Sequence, residues 1–131
     1  SSSIVVELAG DGLCQPDLGF GGPGSMALSL CGEALASGGV AQLEVTGAPA
    51  NRTAFLVLSS TAAPTAFKGG TLVPLPILLV LPLPTAADGS AQLQVPGGGG
   101  PLDVVAQALA PDAALPGGYA ISNAIQAEFL P

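Results

Sequence analysis

Cys14 and Cys31 are the only two cysteines of the chain, and sixteen residues lie between them. Metal binding would need more ligands than two thiols, yet the chain has no histidine and no CxxC spacing. The missing CxxC argues equally against thioredoxin-like exchange. A disulfide needs only the two thiols and an oxidising compartment. Closing a loop of that size stabilises a fold by about 3 kcal/mol in the chain-entropy model. The expectation is a Cys14–Cys31 bridge, with two unpaired buried thiols as the alternative.

Other reactive constellations are missing. Without histidine, a serine or cysteine nucleophile lacks its usual base. A Ser–Lys pair would rest on Lys68 in "FKGG", with no serine motif to match it. "GPGSMA" is not a GxSxG elbow, because Pro23 and Met26 flank Gly24-Ser25. "PGGGGP", residues 96–101, lacks the Lys-Ser/Thr of a phosphate-binding loop. Paired carboxylates hydrolyse glycosides, but the nine acids here mostly fall in turns (Asp11, Asp88, Asp112) or on exposed strand faces (Glu44). No EF-hand-like acidic spacing occurs, so calcium would depend on turn acids alone. No catalytic residue, cofactor or metal is expected, and the chain reads as a non-enzyme. Asn51-Arg52-Thr53 matches the N-glycosylation acceptor pattern in a surface turn, which makes Asn51 a candidate glycan site or an ordinary turn asparagine.

Charge narrows the partners. Nine acidic residues face only Arg52 and Lys68, a net charge of −7. Two cations cannot neutralise a row of phosphates or dock on an anionic bilayer surface, so nucleic acid and membrane surface are poor partners. Charged residues make up 8% of the chain, whereas a soluble monomer presents about 25–35% on its surface. Much of the exterior must then be small or aliphatic, which is tolerable where neighbouring copies cover it. Sugar binding is the rival reading, but exposed rings would have to come from Phe20, Phe67, Tyr119 and Phe129, since Phe55 in "AFLVL" reads as core.

The 131 residues suit one domain with a sizeable core. The chain holds 19 glycines and 13 prolines, but its many aliphatic residues speak for a loop-rich β fold over disorder. Short apolar or alternating runs recur at 4–8, 26–31, 40–46, 54–60, 72–83, 91–95, 102–109 and 119–129, separated by turn residues. This pattern predicts an all-β antiparallel sandwich, immunoglobulin-like or jelly-roll-like, of about 7–8 strands. "VAQLEVTG" places Ala41, Leu43 and Val45 on one face, and "SAQLQVPG" does the same with Ala91, Leu93 and Val95 after an Asp88-Gly89 turn. Residues 102–110 also fit a short helix, through Leu102, Val105, Ala106 and Leu109; a strand is preferred because the run is brief and cut by Pro111. Residues 32–39 leave room for one helical turn.

"TLVPLPILLVLPLPT", residues 71–85, is too short and too rich in proline for a membrane helix. Pro74, Pro76, Pro82 and Pro84 all occupy even positions, so in an extended chain their missing N–H groups fall on one edge. That predicts an edge strand, or two consecutive edge segments, with the odd-numbered aliphatic side chains buried. A polyproline-like apolar loop is the alternative.

Residues 14–131, with "GAPANRTAFLVLSS", "PLPILLVLPLPTAADGS" and "VVAQALAPDAALPGGYAISNAIQAEF", resemble a group of secreted bacterial β-sandwich modules. The resemblance implies an immunoglobulin-like sandwich in an extracellular setting and brings no catalytic residue. Residues 1–13 add an extension that looks like those of fibre subunits that polymerise by strand donation. "SSSIVVEL" has no basic leader region, as expected of a processed secreted chain. Ile4, Val6 and Leu8 would share one strand face, with Val5 and Glu7 on the other and "AGDG" as a tether. The sequence thus predicts a secreted or cell-surface structural subunit of a filament or surface layer. Its partners would be copies of itself, its donor strand would be exchanged through Ile4, Val5, Val6 and Leu8, and it would not insert in a membrane. The alternative is a monomeric adhesion or carbohydrate-binding module with glycans as partners.

Overall fold

The computed structural model describes residues 13–131 apart from 23, 68 and 116. The expected donor residues Ile4, Val5, Val6 and Leu8 lie outside the described residues. Eleven strands follow in chain order: β1 (Leu13–Cys14), β2 (Asp17–Gly19), β3 (Ala27–Gly32), β4 (Val40–Thr46), β5 (Thr53–Ser59), β6 (Ala62–Phe67), β7 (Gly70–Pro74), β8 (Leu79–Pro84), β9 (Ala91–Pro96), β10 (Leu102–Pro111) and β11 (Tyr119–Phe129). All ladders between them are antiparallel.

Alternation builds the first sheet, ordered β1-β3-β4-β9. Leu28 and Leu30 of β3 and Ala41, Leu43 and Val45 of β4 are buried, while residues between them face outward. The second sheet, β2-β11-β10-β5-β8, turns Ala54 and Leu56 of β5 and Ala106, Ala108 and Ala110 of β10 to the same core. The result is an all-β antiparallel sandwich.

A third layer was not legible in the sequence. The β6–β7 hairpin covers the outer face of the second sheet, where Leu72 packs with Val57, Leu109 and Ile121, and Val73 with Val105 and Ala124. Phe67 and Tyr119 close the same interface with ring centroids 6.1 Å apart. Gln107, fully buried, fixes the layer: its Oε1 accepts from Val73 N at 2.9 Å, and its Nε2 donates to Thr71 O at 2.8 Å and Ser122 O at 2.9 Å. The amide thus stands in for a missing strand between β7 and β11. Burial on both faces makes β10 a strand without alternation, which is why residues 102–110 also fitted a helix. It also corrects Phe55, which lies on the outer face and is only half-buried.

The prolines divide where the sequence suggested one edge. Pro74 ends β7 opposite Ala62 and is buried inside the covering layer, so it is no edge residue of the sandwich. Pro76 lies between β7 and β8, outside any strand. Only Pro82 and Pro84 belong to the end strand β8. The odd-numbered positions are also not uniformly buried: Val73 and Leu83 are, whereas Ile77 and Leu79 are exposed. The strand count exceeds the expected 7–8 because this run splits and because β1, β2 and β6 are too short or too exposed to show a pattern. Residues 32–39 form no helical turn; Leu35 instead bridges to Phe129 and is buried.

Between β8 and β9, Asp88 Oδ1 accepts from the Ser90 hydroxyl at 2.7 Å and from Ser90 N at 3.0 Å. Gly89 has φ 79, and a Cβ there would run into the Ala48 carbonyl. The Ser90 hydroxyl and amide hold the Asp88 carboxyl below its ordinary value.

Two outcomes follow. Gln107→Leu leaves Val73 N, Thr71 O and Ser122 O without partners, so it should cost about 3 kcal/mol or more in urea unfolding and open residues 61–76 to proteolysis. A depressed carboxyl pKa stabilises the fold at neutral pH, and this contribution is lost as pH falls through the folded-state value. Asp88→Asn should therefore lower the urea midpoint at neutral pH and match the parent chain in strong acid.

Candidate interaction site

The two long sides of the sandwich are built differently. On one side the chain crosses between sheets and closes the seam. Gln15 N donates to Leu30 O at 2.8 Å, in register with the Cys14–Cys31 pair one residue away. In an antiparallel ladder the pair next to a hydrogen-bonded one is not hydrogen-bonded and brings its side chains closest. Cys14 and Cys31 meet there in a disulfide, which forms across the β1–β3 ladder.

One residue later Pro16 O accepts from Gln126 N at 3.0 Å, and the Gln15 side chain accepts from Glu128 N at 3.0 Å. Residues 15–19 thereby cap the outer edge of β11, where β2 pairs. The Asn123 side chain completes the closure, accepting from Leu28 N at 2.8 Å and donating to Leu28 O at 2.9 Å. Asn123 reaches β3 because β11 bulges between Ile121 and Ala124, and Ser122 Oγ fills the bulge by accepting from Ala108 N at 2.9 Å. The "SNA" motif of the sequence is therefore a structural joint.

Among the described residues the opposite side is open. β8 and β9 are the end strands of their sheets, joined at one end by the turn around Asp88. Thr85 N donates to Arg52 O at 2.7 Å, continuing the β5–β8 register, so odd positions of β8 bond β5 and even positions point outward. Pro82 and Pro84 thus spend their missing N–H groups on the outer edge, where Val80 carries the one donor of the strand. On β9, Gly97 N donates to Gly39 O at 2.8 Å, continuing the β4–β9 register. Gln92 and Gln94 consequently direct their main-chain N–H and C=O groups away from β4.

Between these edges lies an apolar cavity of about 260 Å³. Leu43, Leu93 and Val95 form one wall, and Leu56, Leu58 and Leu81 the other. Ala106 and Ala127, too small to fill the gap between the sheets, line the cavity together with Leu30, Ile125 and Phe129. Val104 lines both this cavity and an adjoining hollow with Leu78, Leu79 and Leu102. Leu78 is 63% and Leu79 50% exposed, and no ionisable side chain lines either space.

The remaining sequence candidates sit apart from this cleft. Asn51 is exposed, with φ 53, in the turn before β5, a conformation that asparagine tolerates. Of the aromatic rings only Phe20 is largely exposed, so they make no stacking platform. Among the described residues no group of three or more His, Cys, Asp or Glu side chains is placed to hold a metal ion. No described helix is long and apolar enough to cross a membrane. The sequence reading missed the cleft, since it arises from alanines and leucines far apart in the chain. Their composition alone carries no signal. Comparison with known proteins finds no matching family model and no matching curated protein.

Filling the cavity from within tests its character. Ala106→Val adds two methyl groups to its base and should stabilise the chain by about 1–2 kcal/mol, read as a raised urea midpoint with an unchanged slope.

Proposed function

We propose that this chain is a structural subunit of an extracellular filament or surface layer, assembling with its own copies through strand donation and apolar contacts. The observation that carries this reading is the open side of the sandwich. There an apolar cleft lies between two end strands and runs into the exposed Leu78, Leu79 and Leu102. An exposed apolar patch of this kind marks an interaction surface. A chain with only 8% charged residues has little else to keep it apart from its neighbours.

The donor is the segment with Ile4, Val6 and Leu8 on one face. Burying those three side chains gives about 1.5–3 kcal/mol each. Association costs about 4–15 kcal/mol, so main-chain pairing and further contacts must contribute. The disulfide supports an oxidising, extracellular setting. The resemblance to secreted immunoglobulin-like modules and to strand-donating fibre subunits agrees with this reading. Asn51 remains open to a glycan, and no nucleic acid or membrane partner is invoked.

Purified chain should form large species on sizing columns and fibres or sheets on negatively stained grids. Deleting residues 1–9 should leave species that cannot polymerise, and a synthetic peptide of that sequence should restore assembly. A parent chain that stays monomeric and binds glycans would overturn the reading in favour of a binding module.

A further inference from the structure

We infer that the donated segment pairs with β9, not β8, and comes from a second copy of the chain, with Ile4, Val6 and Leu8 entering the cleft and Val5 and Glu7 facing out. This rests on the proposed filament reading and specifies its joint.

Hydrogen-bonding capacity separates the two edges. β8 turns Pro82 and Pro84 outward, so an incoming strand would meet a single N–H, that of Val80. β9 turns the N–H and C=O groups of both Gln92 and Gln94 outward, beside the part of the cleft lined by Leu93 and Val95. A strand laid there continues the first sheet. Neighbouring strands keep side chains of the same face in line, so its apolar face meets Leu93 and Val95. Its other face, with Glu7, lies beside the neutral Gln92 and Gln94.

Reach disfavours the chain's own segment. Leu13 is aligned through Gly32 and Ala41 with Val95, so it stands on the far side of the four-stranded sheet. A strand added beside β9 lies four strand spacings from Leu13, about 19 Å in a straight line. The five steps from Leu8 to Leu13 span at most about 18 Å when fully extended, and the path must also pass around the sheet. A donor from another copy has no such limit. What remains available within one chain is a hairpin onto β1, which would leave the cleft empty.

Two measurements on the full chain test this. Gln94→Pro removes only an outward N–H, as Pro96 already does two residues on, so the β4–β9 ladder is kept. It should weaken assembly about tenfold or more, while Gln94→Ala and Val80→Pro stay near the parent. Circular dichroism and urea midpoints verify that each variant is folded. Independently, mixing Glu7→Cys chains with Gln94→Cys chains and a short bismaleimide should yield a covalent heterodimer. Sensitivity to Val80→Pro instead of Gln94→Pro, or Gln94→Cys chains linking only to each other, would overturn the assignment to β9 while leaving the filament reading in place. Parent chains that neither assemble nor cross-link would overturn both.

Discussion

The sandwich is shaped by the size of the side chains that its central hairpin turns inward. β10 and β11 present Ala106, Ala108, Ala110, Ala120 and Ala127 to the core, and an alanine fills only a fraction of the space a leucine would. Where β3 and β4 cross above them, Leu28 and Val45 pack in the same core without lining the cavity. Toward β8 and β9 the small Ala106 and Ala127, even with Val104, Ile125 and Phe129 beside them, leave space below the opposing leucines, and a cavity replaces a packed seam. Protein interiors are packed nearly as densely as organic crystals, so an apolar void of this size forfeits contacts along its whole lining.

The closed side shows what the open side lacks. There a segment of only a few residues does three jobs at once: Gln15 extends the β3 ladder, Pro16 and Gln15 satisfy β11, and Cys14 ties the segment covalently to β3. Asn123 supplies main-chain-like hydrogen bonding to the stretch of β3 that β1 is too short to cover. Gln107 uses the same device on the outer face, where its amide takes the place of a strand. Side-chain amides therefore finish the edges that the backbone leaves incomplete. On β9, by contrast, Gln92 and Gln94 point their side chains outward, and among the described residues no strand pairs with their outward backbone groups.

What could be read from sequence follows burial. β4 and β9 each bury one face, so "VAQLEVTG" and "SAQLQVPG" announce their inward residues by simple alternation. β10 is covered on both faces, and its unbroken apolar run was compatible with a helix until the covering hairpin explained it. Proline parity holds only as far as a single strand runs: Pro82 and Pro84 share an edge, but the chain leaves its extended path between Pro74 and Leu79, and the register with Pro74 is lost. "AAPTAF" carries no pattern because β6 is exposed along nearly its whole length. The cysteine pair was legible because it needed only chemistry and count. The cleft was not, because its lining is drawn from seven separate strands.

The rim of the cleft also argues about the kind of occupant it suits. A small apolar ligand, such as an acyl chain, would fill the volume between Leu43, Leu56 and Leu81 but would offer nothing to the N–H and C=O groups of Gln92 and Gln94 beside it. Bringing an apolar body against those groups would strip their water without replacing its hydrogen bonds, a cost comparable to the gain from one buried side chain. An extended strand meets both demands together, since its backbone pairs with β9 while alternate side chains reach inward at the spacing of Leu93 and Val95. The prolines of β8 add a direction to this preference. An edge unable to donate along most of its length resists uncontrolled pairing, so of the two edges β9 is the one suited to the proposed strand addition. An assembly built by such one-sided addition grows head to tail: each copy offers a donor at one place and an acceptor at another. Unless the rotation between copies closes a ring, contacts of that kind propagate as a filament.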